Sequence, residues 1–354
     1  MDVALVASLV SPIVEREANG PHRVIVDLAR GLAARGHHTT VYAAAGSEVA
    51  GLRIREVRVP ADVASARLVP GRPQRNVPSL IEGFRRLFVA LERGRHDIVL
   101  QHAFDAAALE TRLSVPTIHV LHLPPIIPAV VRAARASPAP LAGVSRTSSQ
   151  QWRAMGVPIT HVLPNGVPDP GARAVSIEAA ALVAGRISPE KGTAVAIRTA
   201  LAAGLEPCVV GDAYDPAYFD LQIRPLLGHV RYFGAIPRSE LLRLMARASV
   251  TLMPVDWSEP FGLVAAEAQM AGCPVVAYRR GALPEVIEDG ISGLLVAPDD
   301  RDALVRAAQT ARGLDRSTVR RSALRRLAIG PMLDRYESAM IGVADGSRRL
   351  PSLA

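Results

Sequence analysis

Short apolar runs alternate with helix-periodic segments along the chain, and the alternation starts again after residue 171. Strands buried on both faces read as continuous apolar runs, and the helices that join them keep a helical period. The alternation therefore predicts parallel sheets covered by helices on both sides. The first series predicts a strand at Val3–Val10, a helix at Arg23–Arg35 closed by Gly36, a strand at Thr39–Ala45 and a helix at Leu80–Arg93. Strands at Asp97–Gln101, Thr117–His122 and Leu141–Ser145, a helix after Ser145 and a strand-turn at His161–Gly166 complete it. The stretch Pro164–Gly171 is broken by proline and glycine.

The second series predicts strand Ala181–Gly185, helix Thr193–Ala203, strands Cys208–Gly211 and Val230–Phe233, and helix Ser239–Arg247. Strand Val250–Pro254, helix Gly262–Ala271 and strands Pro274–Tyr278 and Gly293–Val296 follow, then arginine-rich helices over Arg301–Leu327. Pro331 separates these from a last helix, Met332–Val343. The expected fold class is α/β, with two doubly wound, Rossmann-like domains facing a cleft. The first covers residues 1–168 with a C-terminal helix at 332–345, and the second covers 169–331. Such sheets take ligands outside the carboxyl ends of their strands.

A length of 354 residues suits two domains, and 49% hydrophobic with 21% charged residues excludes disorder over most of the chain. The net charge of +8 raises the question of nucleic acid as a partner. Lysine and arginine total 41, but they are interspersed with acids and form no block, and the 2 Trp, 6 Tyr and 6 Phe give little for base stacking. A positive surface favouring small anionic substrates is the better reading, with no nucleic-acid partner and at most peripheral membrane contact. Lys191 is the only lysine. Either a coding bias toward arginine left it by chance, or it does something arginine cannot.

Cys208 and Cys273 lie apart in apolar runs, without metal-ligand spacing, and read as buried free thiols in a reducing compartment. The apolar start has no basic segment before it, and no apolar run reaches the length of a spanning helix. A soluble, cytoplasmic protein is expected. The amphipathic run Phe84-Arg85-Arg86-Leu87-Phe88 with Arg93 could lie on an anionic membrane, or be an ordinary helix with solvated arginines.

Two loops carry the chemistry. In Val255–Ala271, Pro260 suits the first turn of a helix, so the helix is expected to start there. The N–H groups of Phe261, Gly262, Leu263 and Val264 would then point from the positive end of the dipole toward a phosphate. Glu259 before this start and Glu267 eight positions later offer acceptors for hydroxyls on either side. Alternatively, Glu259 is an N-terminal helix carboxylate and Glu267 a solvated or salt-bridged residue. In Gly185–Gly192, Arg186 and Lys191 would converge on a diphosphate at the end of a strand, or be two surface cations in a turn.

These segments resemble the donor domain of retaining glycosyltransferases of family 4, which have the two-domain GT-B fold. The segment GRISPEKG resembles the family's Gly-Arg…Lys phosphate loop and SEPFGLVAAE its Glu-x7-Glu motif; PVVA at Pro274–Ala277, GALPE at Gly281–Glu285 and GISGL at Gly290–Leu294 continue the match. YDPAYF at Tyr214–Phe219 and the loop variant with Trp257 look closest to a subgroup typified by avilamycin-type antibiotic transferases. Asn19-Gly20-Pro21 occupies the place of the family's Gly-Gly loop, with fewer free N–H groups, and LPNGV at Leu163–Val167 matches the segment entering the linker.

The resemblance implies transfer of a sugar from a nucleoside diphosphate donor to a hydroxyl acceptor. Glu259, Arg186, Lys191 and His122 would be catalytic. Glu267, Phe261, Gly262, Leu263, Val264, Asn19, Gly20 and Gly211 would bind donor. No cofactor is implied, and with no DxD-like pair beside the cradle no metal is expected. His122, at the end of its strand, matches the family's histidine near the donor sugar and is expected at the cleft lip; His102 and His119 lie at neighbouring strand ends, and any of the three could instead be a core histidine. LPPIIPAVVRAAR after His122 is too proline-rich to start as a helix, and would line an acceptor pocket or cover the core as a loop.

Other classes remain open. A nucleotide-dependent oxidoreductase or epimerase should show GxGxxG after the first strand, where SLVSPIVEREANG has none. A phosphorylase would carry pyridoxal phosphate on the single lysine. The non-enzymatic reading is a basic protein bound to membrane or nucleic acid.

Overall fold

Val3, Ala4, Leu5 and Val6 are wholly buried, the pattern of a central strand covered on both faces. The computed structural model describes residues 1–14, 20–60, 62–63, 77–171 and 176–349. The chain divides into two compact units: residues 1–165 with the segment from Gly330 onward, and residues 166–329.

In the first unit β1 (Asp2–Val6), β2 (His38–Ala44), β3 (Ile54–Val57), β4 (Ile98–Gln101), β5 (Thr117–Leu121), β6 (Leu141–Gly143) and β7 (Ile159–Val162) form one parallel sheet. Their order is β3-β2-β1-β4-β5-β6-β7. In the second, β8 (Glu178–Ala184), β9 (Glu206–Val210), β10 (Arg231–Tyr232), β11 (Ala248–Met253), β12 (Val275–Tyr278) and β13 (Gly293–Val296) order as β10-β9-β8-β11-β12-β13, also parallel. Both sheets are doubly wound, as the alternation predicted. Each reverses its strand order beside its first strand, at β1/β4 and at β8/β11.

Side-chain caps set several helix boundaries. Ser145 accepts from the Ser148 N–H to start helix Arg146–Ala154. Asp300 and Asp315 cap Arg301–Ala311 and Arg316–Arg326, so the arginine-rich block is two helices with a break between them. The last helix runs Ile329–Arg349 and not Met332–Val343. Pro331 sits in its first turn, where a missing N–H costs nothing, and does not precede it. This helix packs on the first unit: Leu333 fills the space beside Gly31, and Arg35 pairs with Asp334 at 2.7 Å and Glu337 at 2.6 Å.

Three further boundaries depart from the sequence pattern. Helix Gly20–Ala34 begins before Arg23, with Pro21 in its first turn. Pro128 opens a helix, Pro128–Ala136, inside the stretch read as too proline-rich, because at that position its fixed φ favours the helix. The strand read to Val10 ends at Val6. The run around Arg85 lies on helix Pro78–Glu92 with Phe84, Leu87 and Phe88 buried, while Arg85 and Arg86 face solvent and pair with Glu82. Cys208 and Cys273 are buried free thiols. No described helix is long and apolar enough to cross a membrane.

Candidate active site

The loops leaving β8 and β11 emerge side by side at the point where the second sheet reverses its order, where doubly wound sheets open a crevice. After β8 the chain runs through Gly185–Ser188 into a single turn, Pro189–Lys191, and Gly192 then starts helix Thr193–Ala202. Gly192 has φ +67°, and a Cβ there would stand 2.0 Å from the Pro254 carbonyl oxygen. Only glycine lets the two loops touch this closely. The Asp256 N–H donates to the Glu190 carbonyl at 2.8 Å, tying them together.

This contact brings the expected cation and carboxylate into one cluster. Lys191 Nζ donates to Glu259 Oε2 at 2.7 Å, and both side chains are largely buried. Trp257 Nε1 donates to the same oxygen at 2.8 Å, and its ring lies 4.6 Å from the ammonium. Arg186 has a parallel setting: its guanidinium lies 4.5 Å above the Tyr214 ring and 3.4 Å from Glu190, whose Oε1 also accepts from Ser188. The loop after β12 supports Glu259 from behind, since the Ala282 N–H donates to the Glu259 carbonyl at 2.8 Å and a Cβ on Gly281 would overlap that backbone.

The helix after Glu259 is Leu263–Met270, so it does not start at Pro260. Gly262 has φ +98°, a left-handed conformation that interrupts the helical path, and the first helical bond runs from the Ala266 N–H to the Gly262 carbonyl. The N–H groups without an acceptor in the helix are therefore those of Gly262, Leu263, Val264 and Ala265. Ala265 joins Gly262, Leu263 and Val264 of the expected set, Phe261 lies before the helix, and its side chain is buried. Glu267 is 1% exposed, not solvated, and its Oε1 accepts from Arg238 Nε at 2.8 Å. Gly211 follows β9 with its α-carbon against the Gly185 backbone and its carbonyl accepting from Tyr232 Oη.

The first unit shows different chemistry. Asn19 lies outside the described residues; Gly20 begins helix Gly20–Ala34. His102 and His122 follow β4 and β5, and their rings share a 2.7 Å hydrogen bond between Nδ1 and Nε2. His122 is 5% exposed, not open at a lip, and is bonded to His102, whose ring stacks on Tyr336. Burial pushes His122 down to about 4, helped by nearby His22, which is itself down to about 4. His102 is held well below its ordinary value by burial and by His122, and His119 is down to about 4 by burial alone. All four rings are neutral near pH 7.

Sequence reasoning missed Arg238, which stands 29 residues from Glu267 with no motif around it, and it gave no role to Gly281 or Trp257. Trp257 stood out only as a variant in the loop.

Known proteins match both units. The model described as "Glycosyltransferase Family 4" covers residues 18–169, and that for "Glycosyl transferases group 1" covers 175–312. D-inositol 3-phosphate glycosyltransferase of Thermobifida fusca is 48% identical over 71 residues, 20% of this chain and 16% of that protein. The matches to two curated relatives span 26% and 16% of those proteins' lengths. Among solved structures, AviGT4, a glycosyltransferase involved in avilamycin A biosynthesis, superposes with a TM-score of 0.73 at 24% identity over 98% of both chains. Anabaena Alr3699/HepE, solved in complex with UDP-glucose, superposes with a TM-score of 0.76 at 17% identity, covering 97% of this chain and 100% of that one. With one unit matched by each model and the whole fold shared with GT-B structures, the chain belongs to the glycosyltransferases of family 4.

Proposed function

We propose that this chain moves a sugar from a nucleoside diphosphate sugar to an acceptor hydroxyl, with retention at the anomeric carbon and without a metal. One observation carries the reading: Arg186, Lys191, Glu259 and the free N–H groups at Gly262–Ala265 are gathered on the loops beside β8 and β11. A diphosphate placed there meets two cations and the positive end of a helix, which stabilise the charge that grows on it as the sugar departs. Glu259 is set to accept from sugar hydroxyls and Glu267 from ribose hydroxyls. Arg186 and Lys191 supply the positive charge that a divalent ion supplies elsewhere. The leaving phosphate oxygen takes the acceptor proton on the face where the new bond forms, so no separate general base is required.

The UDP-glucose held by the Anabaena structure makes UDP the first donor nucleotide to try. The test is a thermal-shift screen of UDP-, GDP-, ADP- and TDP-sugars. Ligand at 100 times Kd stabilises by about 2.7 kcal/mol, a shift of a few degrees. No shift with any of the four would overturn the donor assignment. Turnover should be unchanged by EDTA; a tenfold loss restored by Mg²⁺ would overturn the metal-free reading. The anomeric configuration of the product, read by NMR, decides retention.

A further inference from the structure

Trp257 has no part in the donor contacts named above, yet it touches both members of the cluster at their centre. Its indole N–H and the Lys191 ammonium donate to one and the same oxygen, Glu259 Oε2, and its ring face lies 4.6 Å from that ammonium. The three side chains close a triangle. Two donors on Oε2 fix the rotation of the carboxylate and direct its second oxygen away from both.

We propose that Trp257 is a positioning residue that keeps Glu259 aimed at the donor sugar while Lys191 is handed over to the diphosphate. The inference rests on the donor reading above. Lys191 pairs with Glu259, which is 7% exposed. A diphosphate competes for the same ammonium, and once Lys191 turns to it, Glu259 keeps one donor of the pair, the indole N–H. A buried carboxylate left without donors would turn toward whatever remained, or take up a proton. The indole prevents both. The ring adds a second effect: a cation against an aromatic face is held without being neutralised, so Lys191 is stored beside the site and remains available to phosphate. A guanidinium is planar, with its charge spread over a wider fork than the compact ammonium that sits in this triangle.

The experiment compares Trp257→Phe, which keeps a ring face and loses the N–H, with Trp257→Leu, which loses both. UDP and UDP-glucose are the probes, with hydrolysis of UDP-glucose as the turnover assay. The Phe variant should bind UDP within about twofold of the parent and lose about tenfold in kcat; the Leu variant should also weaken UDP binding by about tenfold. A second readout needs no turnover. The only lysine can be followed by mass spectrometry during acylation, and Trp257→Leu should raise the ligand-free labelling rate of Lys191 several-fold, while UDP should protect it in the parent. A third is emission: the spectrum of the parent minus that of Trp257→Phe isolates Trp257, and saturating UDP should change it as the ammonium leaves the ring.

If UDP binds by thermal shift but the Trp257 emission, the Lys191 labelling rate and the kcat of both variants stay at parental values, Trp257 is only packing and the inference is overturned. Loss of melting temperature alone, with parental kcat and Kd per folded molecule, overturns it equally. If no nucleotide binds the parent, the donor reading fails first and takes the handover with it, while labelling of Trp257→Leu still decides whether the triangle restrains Lys191.

Discussion

The two units share a scaffold and differ in what they place at the carboxyl ends of their strands. Each has a parallel sheet that reverses beside its first strand. In the second unit the loops after β8 and β11 carry full charges, each cation set against one carboxylate and one aromatic ring. In the first, β4 and β5 end in buried neutral imidazoles bonded to one another. Eight of the nine histidines lie in the first unit, and the only lysine in the second. One fold therefore serves two opposite electrostatic purposes, and the side chains on its loops decide which. The second unit sets paired cations at its strand ends, while the first sets neutral imidazoles there.

Acid breaks this comparison most severely. An unfolded chain protonates its histidines near 6.5, while folded His22, His119 and His122 wait until about 4. Between those values the unfolded state binds more protons. The stability these rings contribute is thus fully present above 6.5 and lost as pH falls toward 4, at about 3 kcal/mol each. Domains have about 5–15 kcal/mol in all, so the first unit should unfold before pH 4 is reached. There is one tryptophan per unit, Trp152 and Trp257. Emission of the Trp257→Phe protein therefore follows the first unit, and the difference from the parent follows the second. Transitions at the same pH would erase the contrast.

Removing a cation tests the charged side. Arg186→Ala and Lys191→Ala should each lower turnover by about 10²–10³ while the urea midpoint moves little, as for removal of a preorganised donor. Parental turnover in both would show that the cations are surface charges. Lys191→Arg sharpens the point, since full activity would mean that charge alone suffices. A smaller effect is expected at the buried Glu267: Arg238→Ala removes its charged hydrogen bond and should cost about 2 kcal/mol by urea denaturation, with the first unit's transition unmoved. The smallest concerns the arginine surplus. Arg85 is 74% exposed beside Glu82, and Arg85→Gln should shift stability by less than about 0.5 kcal/mol.

Most strands and long helices were readable from sequence because strands covered on both faces are apolar over most of their length, as in Val3–Val6 of β1 and in β12. The errors were local. The residues SEPFG contain a proline that favours a helix start and a glycine that forbids it two positions later; the glycine prevails because the backbone there turns left-handed against Leu283. Pro128 and Pro331 suggest breaks in the sequence, but both lie in the first turn of a helix, where a proline ends nothing. At the site, the residue types came from motifs, but the pairings did not. Lys191 meets Glu259 across 68 positions and Arg238 meets Glu267 across 29, contacts made by the sheet order and invisible to local spacing.

The path of the chain sets an order of assembly. The Val167 N–H bonds to the Leu327 carbonyl at 2.8 Å, so the segment entering the second unit lies beside the segment leaving it, and the second unit is an insertion within the first. Tyr336, on helix Ile329–Arg349, is 0% exposed, with its ring against His102. During synthesis from the N-terminus, that place stays empty until the residues beyond Gly330 have emerged. The unit that begins first is the one that closes last, with a partly open histidine pocket throughout translation of its neighbour.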